Sequence, residues 1–368
     1  MTLPFSWPVL LLLGSIAQGL LLALLLLMRK KNRLANRLLG ILLVGFSLWL
    51  LDGFFVIGGI YQQDPDFYFL PIFYSFSFGP LLYFYVRSLV NADFRFGRTS
   101  LLHFLPVVVQ AGLYGFLTLQ SYEFRRWFWM EVHLPVTYGL EFFLTFLSLT
   151  VYGIAALILL KRYQQWLGEN YSEFSRIRLH WLRTVLILVL LLCLLWTGDV
   201  ITREVYWTEQ WESIHSAGLS IILLVLGIGG IRQDSLGDVR FEPPAPEQEV
   251  LPEIDAGLLE RIVDRMEKSE DFREPDLSLK KFAELLKTPP RKVSQHINHG
   301  LGKSFVDFVN GYRILAVKER IRQGGLQDWT LLAIAMEAGF NSKATFNRVF
   351  RSLEGESPGD FAKKAAQK

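Results

Sequence analysis

Cysteine is almost missing from this chain: one residue, Cys193, in 368, set inside an apolar run. A disulfide framework within one chain and a cysteine-based zinc site are both excluded. Charge is scarce as well, at 20% of residues, while 51% are hydrophobic and 14% aromatic. With a mean hydropathy of +0.28, the chain is not disordered, and it is too apolar for a wholly water-soluble domain of this length. No HExxH string, no His–Glu pair at metal spacing and no Gly-x-Ser-x-Gly elbow occurs. An enzyme is therefore not expected, and no catalytic residue, metal or cofactor is assigned.

The charges that are present fall into three regimes: net +4 over 1–233, −8 over 234–275 and +7 over 276–368. Residues 7–28 form an uncharged run closed by Arg29, Lys30, Lys31 and Arg33, long enough to cross a bilayer core. It lacks a basic leader and a small-residue cleavage site, which favours a retained helix over a signal peptide. Six further apolar segments follow at 38–57, 67–86, 101–120, 136–160, 184–200 and 214–231. The loops after spans one, three and five carry thirteen Lys+Arg against three in the others. Basic residues near span ends stay in the cytoplasm, so the N-terminus is expected outside and everything after the last span inside. These clusters are read as topology signals and lipid-headgroup contacts rather than as nucleic-acid sites.

Ionisable groups in spans are costly and therefore candidates for function. Asp52, Glu141 and Asp199 fall toward the outer ends of their helices, with His133 and His215 near the same face. Asp52, Glu141, Asp199 and His215 are the candidate ligand-binding groups of a cavity open to the outside. The alternative, that each merely reaches interfacial water, stays open. The next segment, 233–254, is acidic and carries Pro243, Pro244, Pro246 and Pro252. It reads as an extended tether of about twenty residues, reaching on the order of 60 Å at ~3.1 Å per residue.

The basic remainder, 255–368, has helical periodicity throughout. Asp255 is placed to cap a helix with Leu258, Leu259, Ile262, Val263 and Met266 on its inward face. A second helix runs over 278–286 and a third over 290–299, with Val293 and Ile297 inward. That leaves Arg291, Lys292, Gln295, His296 and Asn298 facing solvent, where side chains suit a DNA groove. A longer helix over 304–322 is expected to bury Phe305, Phe308, Val309, Tyr312, Leu315, Ala316 and Ile321. The pattern then repeats: Thr330 caps a helix, Gly339 makes a turn, and Asn341 or Ser342 caps a further helix to Leu353 that buries Phe346, Val349, Phe350 and Leu353. Lys343, Asn347, Arg348 and Arg351 are left outward. Two helix-turn-helix units on a stiff connector can enter adjacent major grooves about 34 Å apart.

The runs LSLKKFAELL, PRKVSQHINHGLGKSFVDFVNGYRILAVKERI and TLLAIAMEAGFNSKATFNRVFRSLEGESPGDF, over about 258–364, resemble the twin helix-turn-helix domain of the AraC/XylS family of bacterial transcription regulators. The apolar half, including FGPLLYFYVRSL, resembles the seven-helix sensor of a membrane-bound branch of that family. The resemblance implies DNA binding through Arg291, Lys292, Gln295, His296 and Asn298 and through Lys343, Asn347, Arg348 and Arg351. The first of these helices departs from the family pattern in its two opening prolines and in His296 and Asn298. The expected architecture is all-α: a seven-transmembrane-helix bundle (1–232), a linker (233–254) and a soluble twin helix-turn-helix domain (255–368). The expected setting is the bacterial inner membrane. Expected partners are double-stranded DNA, the lipid bilayer, a small-molecule or envelope signal, and a second copy of the chain as a homodimer. The rival reading is a transmembrane receptor or transporter-like bundle whose cytoplasmic tail docks a protein partner.

Overall fold

The computed structural model describes residues 6–64, 67–170, 179–206, 212–233, 241 and 254–366, and among these it is helical with no strand. Most of the acidic linker, 233–254, lies outside the described residues. The chain divides into two compact units, Met1–Arg162 with Leu179–Pro243, and Tyr163–Arg178 with Pro244–Lys368.

The first unit holds α1 (Trp7–Met28), α2 (Arg33–Ile57), a single turn α3 (Ile60–Gln63), α4 (Phe78–Val90), α5 (Arg98–Leu102), α6 (Leu105–Thr118), α7 (Tyr122–Phe128), α8 (Tyr138–Asn170) as far as Arg162, α9 (His180–Tyr206) and α10 (Glu212–Arg232). A π-helical segment, Trp129–Thr137, joins α7 to α8 and contains Pro135, whose missing N–H breaks the α-helical ladder. Many large apolar side chains point outward, among them Leu10, Leu21 and Leu24 of α1, Val108 and Val109 of α6 and Phe143 and Val151 of α8. Polar groups lie within: Asn36, Ser47, Asp52, Gln110 and Thr145 are buried.

Among the described residues, four helices are long and apolar enough to cross a membrane: Trp7–Met28, Arg33–Ile57, the continuous Tyr122–Leu167, and His180–Gly198. Leu105–Thr118 and Ser216–Arg232 are apolar but shorter. The segment expected as a third span, 67–86, is helical in the α sense only from Phe78 onward. Phe69 is left-handed (φ 59°), and Pro71 follows. The freed main-chain groups are met by side chains of α6: Thr118 Oγ1 donates to Phe69 O at 2.6 Å, and Phe76 N–H donates to Gln110 Oε1 at 3.3 Å. Such partners are what irregular backbone needs in apolar surroundings.

The second unit's helices begin at side-chain caps. Asp255 accepts the Gly257 and Leu258 N–H groups at the head of α11 (Ala256–Glu267). Ser278 heads α12 (Leu279–Leu285), Ser304 heads α14 (Phe305–Arg322), Thr330 heads α15 (Leu331–Glu337) and Ser342 heads α16 (Lys343–Glu354). Each cap satisfies an N–H that the helix itself leaves unpaired. α13 (Pro290–Leu301) starts instead on proline and ends at left-handed Gly302, and α17 (Pro358–Ala366) closes the chain.

Two apolar cores form here. One gathers Ile262, Phe282, Val293, Ile297, Phe305 and Val309, the other Ile314, Val317, Ile334, Phe346 and Phe350. Connector α14 serves both, so its inward face turns between Val309 and Ile314. At that change-over sit two buried polar side chains, Asn310 and Arg313. Two expected inward positions are corrected by this. Leu315 is 58% exposed, because the stripe has moved to Ile314 and Val317, and Leu353 at the end of α16 is 49% exposed.

Candidate nucleic-acid interface

The turn between α12 and α13 and the turn between α15 and α16 are built alike. Thr288 N–H donates to Ala283 O at 3.0 Å, and Phe340 N–H donates to Ala335 O at 3.1 Å. Both alanines are fully buried, so the following helix packs close against each. Lys287 and Gly339 supply the left-handed residue that ends the first helix of each pair, the usual way of closing a helix tightly.

Counted from their first residues, α13 and α16 run in the same register: Val293 matches Phe346, His296 matches Val349 and Ile297 matches Phe350, all buried. The opposite face is turned outward in both. Arg291, Lys292 and Asn298 are exposed and Gln295 is half-buried on α13, while Lys343, Asn347, Arg348 and Arg351 are exposed on α16. Amide groups there set a donor beside an acceptor and guanidinium groups offer a fork of donors, the patterns that bind base edges and phosphates.

His296 does not belong to that face. It is 1% exposed; its Nε2 accepts the Asp255 N–H at 3.0 Å and its Nδ1 lies 2.8 Å from Lys292 O. The ring braces α13 against the head of α11, these partners assigning Nε2 as acceptor and Nδ1 as donor. Lys292 Nζ stands 3.8 Å from Asp255 Oδ2. The Asp255 carboxyl is held below its ordinary value chiefly by the Leu258 N–H, then by Gly257 N–H, with Lys292 adding to the effect.

Residues 282–364 match a family model described as a helix-turn-helix domain. That segment is a helix-turn-helix domain. The match runs from within α12 to α17 and so takes in both turns and both candidate readers. A solved structure described as a protein of unknown function from Listeria innocua is 27% identical, over 28% of this chain and 94% of that one, with a TM-score of 0.26. Among curated proteins, nothing matches.

In the first unit, two of the four candidate ligand groups are held in hydrogen bonds. Asp52, 8% exposed, accepts from Tyr61 Oη at 2.6 Å. Half-buried Glu141 accepts from Tyr114 Oη at 2.9 Å and from the Gln110 amide. The network continues from Gln110 Nε2 to Ser75 Oγ at 3.0 Å, and Ser75 pairs with Thr145 Oγ1 at 2.8 Å. Thr145 also lines a small cavity of about 30 Å³ walled by Trp49, Phe78, Phe146, Cys193 and Trp196. The side chains of Asp199 and His215 lie outside the described residues. Buried His133 lies 2.9 Å, through Nδ1, from Thr137 Oγ1. Gln110 and Tyr114 were not singled out by the sequence reading; a glutamine inside an uncharged apolar run, with a tyrosine one turn on, was the signal available. No cluster of three or more metal-ligating side chains occurs among the described residues.

Proposed function

We propose that the chain is a membrane-integrated, one-component transcription regulator of the AraC type. The observation that carries the reading is the repetition of one turn-and-reader device, in one register, on the two sides of α14, within the segment that matches a helix-turn-helix domain. Residues 255–368 bind double-stranded DNA through α13 and α16; 233–254 is the tether; 1–232 is the seven-helix sensor. The outward apolar side chains of α1, α6 and α8 support burial of the first unit in lipid, since such continuous apolar surface is rare on a soluble protein. The loop bias in Lys and Arg supports an inner-membrane protein with its N-terminus outside and the DNA-binding part in the cytoplasm.

A signal reaching Asp52, Glu141, Asp199 and His215 changes transcription only by favouring one of two states, most simply two association states of a homodimer. The test is selection of DNA from a random pool by the full chain in lipid nanodiscs, followed by titration in salt. With some 6–10 phosphates contacted, affinity falls about 10³–10⁵-fold between 50 and 200 mM salt. Failure to enrich any sequence, or a flat salt response, removes the assignment.

A further inference from the structure

Arg313 is among the most completely buried large side chains in the chain, at 1% exposure, and it sits where the two helix-turn-helix halves meet. Its Nε donates to Phe272 O at 2.7 Å and its Nη2 donates to Glu274 O at 2.8 Å. Both carbonyls belong to the loop after α11, in the first half. Its guanidinium carbon lies 5.8 Å from the ring centre of Phe340, in the turn of the second half. Around it the same loop and turn touch directly. Asn341 Nδ2 donates to Pro275 O and Asp276 Oδ1, each at 3.3 Å, and Arg273 Nη1 reaches Glu337 O at 3.5 Å. Gly339 leaves room for the guanidinium: a Cβ there would stand 2.9 Å from Arg313 Nε.

We propose that Arg313 is the positioning residue that fixes the angle between the two DNA-reading helices. An apolar side chain at this seam would tolerate sliding of one half over the other. A buried guanidinium does not, because its planar fork matches carbonyls in one arrangement. Moving the first half against α14 strips two hydrogen bonds from a charge held out of water, and moving the second withdraws the Phe340 ring from it. α13 packs into the core of the first half and α16 into that of the second, so fixing the halves fixes the readers. The consequence for DNA is one permitted spacing between the two contacted segments. One inserted base pair turns one segment against the other by about a tenth of a turn.

The inference rests on the reading of α13 and α16 as DNA readers, and two measurements keep the two ideas apart. The first needs no DNA. In the full chain in nanodiscs, with Cys193→Ala, spin labels are placed at the exposed positions His299→Cys on α13 and Ser352→Cys on α16. A single narrow distance is expected, broadened by Arg313→Met, less so by Arg313→Lys, and broadened in the same sense by Asn341→Ala. In the second, sequences selected by the unlabelled chain receive one base pair between the two protected segments. The unsubstituted chain is expected to lose about tenfold or more in affinity, and Arg313→Met to lose much less, with each segment still protected. A distance distribution left equally narrow by Arg313→Met and Asn341→Ala overturns the proposal, as does an unchanged spacing penalty. If Arg313→Met does not fold, Asn341→Ala decides by the same criterion. Broadened distances in a chain that selects no DNA retain the clasp and remove the DNA-reading assignment.

Discussion

Lys287 and Gly339 hold the same left-handed place in the two turns, at φ 50° and φ 96°, and differ in what surrounds them. Lys287 is exposed, whereas a Cβ on Gly339 would stand 2.6 Å from Phe272 O. Lys287→Gly relieves a conformation that costs a side-chain-bearing residue about 1–2 kcal/mol, partly offset by glycine's freedom in the unfolded chain. A gain of a few tenths to about 1 kcal/mol is expected. Gly339→Ala adds both left-handed strain and a collision with backbone, for a loss of about 2 kcal/mol or more. Pulse proteolysis of the C-terminal unit of the full chain in urea reads both, and shifts of the same sign would contradict the pairing of these turns.

Reader and brace separate by their phenotypes. Arg348→Ala and Arg351→Ala are each expected to weaken DNA binding by ~1–3 kcal/mol where a base contact is lost, or to lower the salt slope by about 1 where a phosphate contact is lost, with folding unchanged. His296→Ala removes the acceptor for Asp255 N–H and is expected to cost ~1–3 kcal/mol of stability while leaving the salt slope alone. Loss of DNA affinity by His296→Ala with no loss of stability would return that ring to the binding face.

The helix pattern of the C-terminal part was open to sequence reading because each element carries its own punctuation: Asp255, Ser278, Ser304, Thr330 and Ser342 as caps, Gly302 and Gly355 as stops. Burial on the connector was not. A stripe drawn at constant period keeps Leu315 inward, whereas a helix that serves two cores must turn its inward face, and Arg313 is the residue it turns in. His296 was misplaced because polarity stood in for position; setting α13 beside α16 puts it opposite Val349. In the apolar half, the third expected span failed as one helix because hydropathy does not register Pro71 or the reach of Gln110 and Thr118 back to the loop backbone.

Acid should loosen the start of α11. The Asp255 carboxylate, held below its ordinary 3.8 by the Leu258 and Gly257 N–H groups, stabilises the folded state above about pH 3.8. That contribution is lost as pH falls through the lowered value, since the unfolded chain takes up the proton first. Asp255→Asn keeps a capping oxygen without the titration. Between pH 7 and pH 3 the unsubstituted chain is expected to lose more stability than Asp255→Asn, measured as the difference in urea midpoint for the C-terminal unit. Parallel curves would show that the cap does not titrate with folding.

Helix contacts in the apolar unit give a paired test on glycines. A Cβ on Gly79 of α4 would lie 2.7 Å from Ser148 Oγ and 2.9 Å from Ser148 O on α8, whereas one on Gly112 of α6 meets nothing within 4 Å. Close approach on small residues is a main source of helix association in lipid, where no hydrophobic force separates helix from solvent. Gly79→Ala must push the two helices apart against backbone, at about 1–3 kcal/mol, which lowers the melting temperature by several degrees. Gly112→Ala gains helix propensity, up to about 1 kcal/mol, with no packing cost. Thermal aggregation of the full chain in mild detergent compares them. An unchanged midpoint for Gly79→Ala would mean that α4 does not cross α8 at this distance.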